Sequence, residues 1–384
     1  MEQNNIINNF FSDESIEIEE ECESSELEED VIDNENIEDI NNSLKIKYNP
    51  KDYIKRDIID KLMKYKLLLD KIKCDKCNTF MHLNVCNGTK DGLIWRCSHI
   101  GFNKHDNKCN IRVKSTFETM KCDIRILYFI IFNNFIERKS INQTYYNCRE
   151  FSKQLKIETI SKKAISKFMN IIRLKIMHFF HYKWNHEQIG IEPADDGKPR
   201  IELDESKIVT FDNQVRWMLG FVDRGTKEVR IYYINNDRTK EKILPIVKKN
   251  VYSYQKQISN NIDSDDIYPA TRIYTDCFSI YHELDFNRLG YKLYRVNHSI
   301  WFGHGLFHTN SIEGAWSRLK RLADCFTGLN GNIFYLNHRH DFNDEDYFNG
   351  YICSGIFFME CERMKLGANA KLEFLISILM CEKK

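Results

Sequence analysis

The stretch that decides the fold lies in the second half of the chain and reads RIELDESKIV (residues 200–209), QVRWMLGFVDRG (214–225) and EVRIYYINN (228–236). These runs are rich in β-branched and aromatic residues and are separated by turn-forming residues, which predicts three consecutive strands. An amphipathic helix follows in TKEKILPIVKKNV (239–251), and strand-like and helical patterns then alternate: TRIYTDC, SIYHELDFNRLG, YKLYRVNHS and TNSIEGAWSRLKRLADCF. This order predicts an α/β layer architecture.

Three acidic residues lie in these predicted elements: Asp204 in the first strand, Asp276 where the fourth strand ends, and Glu313 in the last helix. A pair of divalent metal ions needs carboxylates that converge from different elements, and this spacing permits such convergence. In the last helix, Asn310, Glu313, Ser317 and Lys320 share one face. Taken singly, each acid is also explained as a turn former or as a residue that favours a helix dipole.

A cluster of cysteines precedes this region, in the segment CDKCNTFMHLNVCNGTKDGLIWRCSHIGFNKHDNKC (residues 74–109). The Cys-x2-Cys pair of Cys74 and Cys77 is typical of a zinc knuckle. The predicted structural zinc ligands are Cys74, Cys77, Cys97 and Cys109, with His99, His105 and Cys86 as substitutes. The alternative is a set of buried, reduced cysteines without a metal.

Residues 123–183 have a helical pattern in three parts, preceded by an amphipathic helix within residues 50–73. Three helices in sequence fit a helix-turn-helix in which the last helix lies in the major groove. A helical spacer with solvated lysines explains the same pattern about as well. The basic residues predicted to contact DNA are Lys162, Lys163, Lys167, Arg173 and Lys175, together with Arg318 and Lys320 further along the chain.

The net charge of the chain is zero, with 56 basic and 56 acidic residues, but its distribution is uneven. Residues 1–44 contain 16 acidic residues and neither Lys nor Arg, so residues 45–384 carry 56 basic against 40 acidic residues. A polar acidic segment of this kind is expected to be a disordered tail, and a basic body is expected to bind a polyanion. The tail could also compete with DNA for the basic surface.

The resulting domain prediction has five parts: an acidic tail (1–44), an amphipathic helix with a zinc-binding module (45–122), a helical DNA-binding region (123–184), a linker rich in Gly, Pro and Asp (185–200), and an α/β domain (201–384). Thirteen cysteines without a signal peptide or a membrane-length apolar segment favour an intracellular protein, nuclear if the organism is eukaryotic.

The blocks ELDESK, GFVDRG, NDRT, LPIV, IYTDCFSIY, VNHS and HTNSIEGAWSRLKR resemble the DDE transposase domain of ISXO2-like (IS1595-type) insertion sequences and the related Merlin elements. The resemblance covers roughly residues 71–325, including the zinc-binding and helix-turn-helix regions. It implies an RNase H-like fold and a DNA strand-transfer enzyme that uses two Mg²⁺ or Mn²⁺ ions.

Within that resemblance, Asp204, Asp276 and Glu313 match the catalytic acids, and Asn310 competes with Glu313 as the third ligand. Lys320 matches the following lysine, and His298 and His308 match positions at the edge of the site. The implied partners are the terminal inverted repeats of the element, target DNA and further copies of the chain. Two alternatives are a domesticated, catalytically silent DNA-binding protein and an RNA-directed nuclease on the same fold.

Overall fold

The computed structural model describes residues 55–99, 105–211, 214–253, 270–284, 286–297, 307–322 and 344–380. The predictions that concern the acidic tail, His298 and the side chain of His99 lie outside these residues.

The amino-terminal half contains one short helix, a small sheet and a run of helices. The predicted amphipathic helix is confirmed as α1 (Lys55–Lys64). Strands β1 (His82–Val85), β2 (Leu93–His99) and β3 (His105–Asn110) form an antiparallel sheet. The three predicted helices are confirmed as α2 (Ile124–Ile131), which continues into a π-helical segment (Phe132–Ile136), α3 (Ile141–Leu155) and α4 (Lys162–His186).

Side-chain caps explain where these three helices begin. The side chains of Asp123, Ser140 and Ser161 accept hydrogen bonds from the backbone N–H of Arg125, Gln143 and Ala164, respectively. Such caps satisfy N–H groups that have no partner within the helix, and each contributes roughly 1 kcal/mol. The short polar residues that precede each apolar run therefore set the helix boundaries.

The second half contains the predicted five-stranded sheet. Its strands are β4 (Arg200–Phe211), β5 (Gln214–Asp223), β6 (Val229–Asn235), β7 (Thr271–Thr275) and β8 (Tyr291–Arg295), in the order β6-β5-β4-β7-β8. The first three strands form an antiparallel meander, whereas β7 and β8 continue the sheet parallel to β4. The predicted mixed α/β architecture is confirmed.

Side chains alternate between the two faces of this sheet. One face carries an apolar core that includes Ile201, Leu203 and Ile273, and α5 (Lys240–Asn250) and the short helix α6 (Ile280–Glu283) contribute to that core. The opposite face carries Glu202, Asp204 and Tyr274. Helix α7 (Asn310–Leu322) packs on β4 and β5 of this face, and α8 (Asp344–Arg363) packs on β6.

The carboxy-terminal helices connect the two halves. Helices α8 and α9 (Ala368–Met380) pack against α4, and α8 also contacts α7 and β6. The sequence offered no function for this region. It joins the long helix of the amino-terminal half to the sheet. No helix among the described residues is long and apolar enough to cross a membrane.

The segment predicted as a linker is packed against the sheet. Ile189 pairs with Val251 in an isolated parallel bridge, and the backbone N–H of Gly190 donates to Asp223 Oδ2 at 2.9 Å. Gly190 has φ +81°, and a Cβ atom there would lie 2.7 Å from Thr271 Cγ2. Within the predicted linker, the glycine at position 190 therefore allows the chain to bend closely around the beginning of β7.

Candidate functional site

Three thiols and one imidazole converge at the β2–β3 hairpin. The donor atoms of Cys74, Cys77, Cys97 and His105 all lie within 4.8 Å of one another. Cys74 Sγ is 3.3 Å from His105 Nε2, and Cys77 Sγ is 3.5 Å from Cys97 Sγ. Three cysteines and one histidine form a donor set typical of structural zinc, so this cluster could hold one zinc ion.

The structure brings His105, and not the predicted fourth zinc ligand Cys109, to the other three thiols. Both residues lie on the same face of β3, but they are four positions apart, which corresponds to about 13 Å along a strand. Cys109 pairs in register with Trp95, and its Sγ is 4.0 Å from Met81 Sδ. His105 was considered only as a substitute, because a second cysteine pair is the more familiar pattern.

Hydrogen bonds prepare one of these thiols for metal binding. Burial raises the pKa of the Cys74 thiol, but hydrogen bonds from Asn107 and from the backbone N–H groups of Lys76 and Cys77 outweigh burial and bring the pKa down to about 6. Burial and the neighbouring Cys77 raise the pKa of Cys97 to about 11. The cluster thus holds a proton on one thiol that a bound cation would displace.

Two of the predicted acids belong to the adjacent parallel strands β4 and β7: Asp204 lies inside β4, and Asp276 directly follows the end of β7. Glu202 of β4 is in register with Tyr274 of β7. Asp204 and Asp276 each follow two residues later, just beyond the last pair between these two strands, and the period of two directs both toward the same face. The charge of Asp276 is among the causes that raise the pKa of Asp204, which is consistent with this proximity.

A tryptophan from α7 holds one of these carboxylates. Trp316 Nε1 donates a hydrogen bond to Asp204 Oδ2 at 2.8 Å. Gly220 is the register partner of Asp204 on β5, and a Cβ atom at Gly220 would lie 2.4 Å from Trp316 Cη2. The glycine therefore lets the indole lie close enough to the sheet to reach the acid.

The environment of Asp204 favours its neutral form. Burial raises its pKa to about 7, the charges of Asp276 and Glu205 add to this rise, and the hydrogen bond from Trp316 opposes it. Perturbed carboxylates of this kind are common at functional sites. Glu205 faces the other side of the sheet, where Tyr281 donates to Oε1 at 2.6 Å and Arg238 to Oε2 at 3.2 Å.

The third predicted acid does not form a tight cluster with the other two. Among the described residues, Cys74, Cys77, Cys97 and His105 are the only group of three or more metal-binding side chains within 4.8 Å of one another. Glu313 is exposed near the start of α7, and its Oε1 accepts from Thr309 Oγ1 at 3.3 Å. Asn310, Ser317 and Lys320 are exposed on the same helix, as predicted.

A buried ion pair fixes the start of α7, and the sequence did not predict it. Glu202 is fully buried and accepts from Arg224 Nε at 2.6 Å and from the backbone N–H of Ile312 at 2.9 Å. His308 Nδ1 lies 3.5 Å from the same carboxylate, which places this predicted edge residue beside Glu202. Burial and the nearby Arg224 lower the pKa of His308. The contacts anchor the helix that carries Trp316 and Glu313.

The predicted DNA-binding residues of α4 separate into two groups. Lys162, Lys163 and Lys167 are exposed near its start, and Lys175 is half-buried. Arg173 is buried, and its Nη1 donates to Asn170 Oδ1 at 3.0 Å and to Tyr351 of α8 at 3.3 Å. Arg173 therefore joins two helices, and its burial contradicts the prediction that it contacts DNA. Arg318 and Lys320 are exposed on α7.

Comparisons with known proteins find only weak structural similarity. No protein-family model and no curated protein matches the sequence. The chain is similar to a chain of the simian T-cell lymphotropic virus intasome in complex with PP2A regulatory subunit B56 gamma, with 13% identity and a TM-score of 0.26, over 44% of this chain and 50% of that chain. The chain thus spans half the length of that protein.

Two further similarities are to the HTLV-2 integrase catalytic core domain in complex with magnesium. The dimeric form has 13% identity and a TM-score of 0.24, over 42% of this chain and 86% of that chain. The trimeric form has the same identity and TM-score, over 44% of this chain and 86% of that chain. Similarity at this level assigns neither a family nor an activity to the chain.

Proposed function

We propose that the chain is a DDE-type polynucleotidyl transferase with an RNase H-like domain, and that it cleaves DNA and joins the cut strand to a target, as the transposase of a mobile element does. The observation that carries this proposal is the placement of Asp204 within β4 and of Asp276 directly after the parallel neighbour β7, each two residues beyond the last pair between these strands. The sequence blocks that resemble ISXO2-like and Merlin transposases support it, and so does the strand order β6-β5-β4-β7-β8, with β5 alone antiparallel to its neighbours.

The carboxylates of Asp204 and Asp276 are donors that fit Mg²⁺ or Mn²⁺. Carboxylate oxygens are the ligands that such hard cations prefer. Burial is the main cause that raises the pKa of Asp204, and the charge of Asp276 adds to it, so a bound cation would offset both effects. Asp204 and Asp276 would hold two ions, with Glu313 or Asn310 as a further ligand. When bound, the ions supply charge neutralisation at the scissile phosphate and activation of the attacking oxygen.

The protein's own residues orient the acids. Trp316 donates to Oδ2 of Asp204 and thereby fixes the orientation of this carboxylate. Glu202 and Arg224 fix the start of α7, and thereby the position of the indole. Lys320, on the exposed face of the same helix, would contact a phosphate of the bound DNA. His308 and His298 would lie at the border of the site.

The remaining modules would bind DNA and stabilise the fold. One structural zinc at Cys74, Cys77, Cys97 and His105 would fix the β2–β3 hairpin. The exposed lysines of α4 would contact the terminal inverted repeats, and copies of the chain would assemble on paired DNA ends. The basic body of residues 45–384 suits such a partner.

The test is metal-dependent nicking and joining of substrates that carry the flanking ends of the gene. We expect activity with Mg²⁺ or Mn²⁺ in the wild-type protein and none in Asp204→Ala. If both proteins bind the ends equally and neither cuts, the protein is a DNA-binding protein without catalytic activity. Cleavage of RNA–DNA hybrids in preference to duplex DNA would instead indicate the RNA-directed nuclease.

A further inference from the structure

An aromatic and cationic surface continues from the two aspartates across β7 and β8. Tyr274 lies two residues before Asp276 on the same face of β7, about 7 Å along the strand. Its ring stacks on Tyr294 of β8, with centroids 5.0 Å apart and an interplanar angle of 13°. Phe307 packs edge-to-face on both tyrosines, with centroids 6.1 Å from Tyr274 and 5.5 Å from Tyr294.

This aromatic group is buried at one end and open at the other. Tyr274 is 1% exposed, Tyr294 is half-buried and Phe307 is 53% exposed. A large apolar side chain held in place by two tyrosines and open over half its surface offers a rigid ring for a flat ligand. The two tyrosines fix the position of Phe307, so binding a ligand there would cost little side-chain entropy.

Positive charges accompany the rings. Lys292 Nζ lies 5.6 Å from the centre of the Tyr294 ring, and the Arg272 guanidinium lies 5.8 Å from it. Lys292 is exposed, and Arg272 is half-buried with Asp196 at 3.9 Å. Flat rings beside one exposed and one half-buried cation match the two chemical parts of a nucleotide, because bases stack on aromatic faces and phosphates bind ammonium and guanidinium groups.

We propose that Phe307, supported by Tyr274 and Tyr294, stacks an unpaired base of single-stranded DNA beside the carboxylates, while Lys292 and Arg272 contact the neighbouring phosphates. This inference rests on the proposed function, since it assigns the surface that would hold a frayed or cut DNA end near Asp204 and Asp276. A duplex keeps its bases stacked on one another and therefore offers no free base to Phe307. The surface thus favours single strands over duplexes.

The experiment measures binding of the full chain to a fluorescent single-stranded thymidine 20-mer and to a duplex of mixed sequence, with Ca²⁺ as the added cation. We expect Phe307→Ala to weaken single-strand binding about 5- to 100-fold, the range that loss of one stacked base gives, and to change duplex binding little. Phe307→Tyr should restore single-strand binding, since it keeps the ring. Because Phe307 is largely exposed, both variants should keep the wild-type melting temperature.

Two matched variants separate stacking from other effects. Phe80→Ala removes a phenylalanine of similar exposure, 57%, from the segment before β1, and should leave single-strand affinity unchanged. Lys292→Ala should reduce the slope of log affinity against log salt by about 0.7, the change expected when one phosphate contact is lost, whereas Phe307→Ala should leave that slope unchanged.

Two results would overturn the inference: single-strand affinity in Phe307→Ala equal to wild type, or an equal loss for single strand and duplex. Both are independent of the proposed function, which fails when the wild-type protein shows no metal-dependent strand cleavage. A protein that cuts DNA but binds single strands equally with and without Phe307 would refute only the stacking surface.

Discussion

Two sites can be compared: the cysteine–histidine cluster, and the carboxylate edge, which consists of Asp204 and Asp276. They differ in the sequence separation between the residues that form them. Cys74 and His105 are 31 residues apart, and they meet where the segment before β1 lies against β3. Asp204 and Trp316 are 112 residues apart and meet only when β4 and α7 have packed together. The first site forms within one small sheet and the segment before it, whereas the second requires a distant helix to pack on the five-stranded sheet.

The two sites also differ in charge before a metal binds. The thiols can share protons, and the pKa values of Cys74 and Cys97 move in opposite directions, to about 6 and about 11. These four donors lie within 4.8 Å of one another, and a cation bound by them would displace the proton that the Cys97 thiol holds. Carboxylates that are ionised at neutral pH repel one another, and Glu313 lies on the exposed side of its helix. A metal would therefore affect folding at the first site and activity at the second.

The largest effect is expected at the carboxylate edge. Asp204→Asn keeps the shape of the side chain and its contact with Trp316 but removes the negative charge that would hold a metal. We expect strand cleavage to fall by at least about 10³-fold, roughly 4 kcal/mol of transition-state stabilisation. Asp237→Asn is the matched control, because Asp237 lies in an exposed turn where it accepts hydrogen bonds from Thr239. Equal cleavage rates in the two variants would contradict a catalytic function for Asp204.

The second largest effect is expected at the zinc cluster. His105→Ala and Cys74→Ser should each reduce bound zinc from about one per chain toward zero, and each should destabilise the hairpin by several kcal/mol, since structural zinc contributes about 10–16 kcal/mol in small domains. Cys109→Ser is the control and should keep zinc, because Cys109 lies near Met81. Metal analysis and thermal melting of the three variants decide between His105 and Cys109 as the fourth ligand.

Much of the fold was predictable because local patterns decide it. The capping residues Asp123, Ser140 and Ser161 precede apolar runs, and the helices begin there. Apolar and polar residues alternate in β4, β5 and β6, and helical and strand-like patterns follow them. Together these patterns predict the order of the elements. These signals depend on neighbours within about ten residues, which is the range over which periodicity carries information.

The details that the sequence did not reveal depend on distant contacts. The charge of Arg173 favours an exposed position on its helix, but the side chain is buried against Tyr351 of α8. Glu202 has the pattern of a surface acid in a strand, yet Arg224 and the start of α7 bury it. Whether His105 or Cys109 meets the three thiols depends on how β3 pairs with β2. The spacing of these residues in the sequence does not determine that register. Each of these details depends on which helices and strands pack against one another.

A smaller effect is expected from Gly220→Ala, which tests how closely α7 approaches the sheet. A Cβ atom there would lie 2.4 Å from Trp316 Cη2 and 2.9 Å from Ile312 Cδ1, so the helix must shift. We expect a loss of about 1–3 kcal/mol in the free energy of unfolding. Gly314→Ala is the matched control: no atom lies within 4 Å of its added Cβ, and alanine should stabilise α7 by up to about 1 kcal/mol.

A double variant sharpens this prediction. If the loss arises from the indole, Gly220→Ala should cost less in a Trp316→Leu background than in the wild type, because the smaller side chain leaves room for the methyl group. The difference between the two costs is the coupling between the residues, which we expect to be about 0.5–2 kcal/mol. Additive effects would mean that the indole is not what limits the approach of the helix.

The smallest effect concerns the pH dependence of stability in the metal-free protein. Burial raises the pKa of Asp204 in the folded protein to about 7, against 3.8 for the free side chain. Between these values the folded state binds the proton more tightly than the unfolded state, so Asp204 lowers the stability progressively as pH rises from about 4 to about 7. Because the side chain is partly exposed, we discount the full shift and expect a loss of about 1–2 kcal/mol.

Asp204→Asn removes this titration, so the variant should be more stable than wild type by about that amount at pH 8 and nearly equal to it at pH 4. Urea unfolding of the chelated proteins at several pH values measures the difference. Mg²⁺ should reverse the order at pH 8, because an ion held by the ionised Asp204 stabilises only the wild-type protein. If the stability difference between wild type and Asp204→Asn does not change with pH, Asp204 is ionised in the folded protein throughout this range. Its pKa is then not raised by burial.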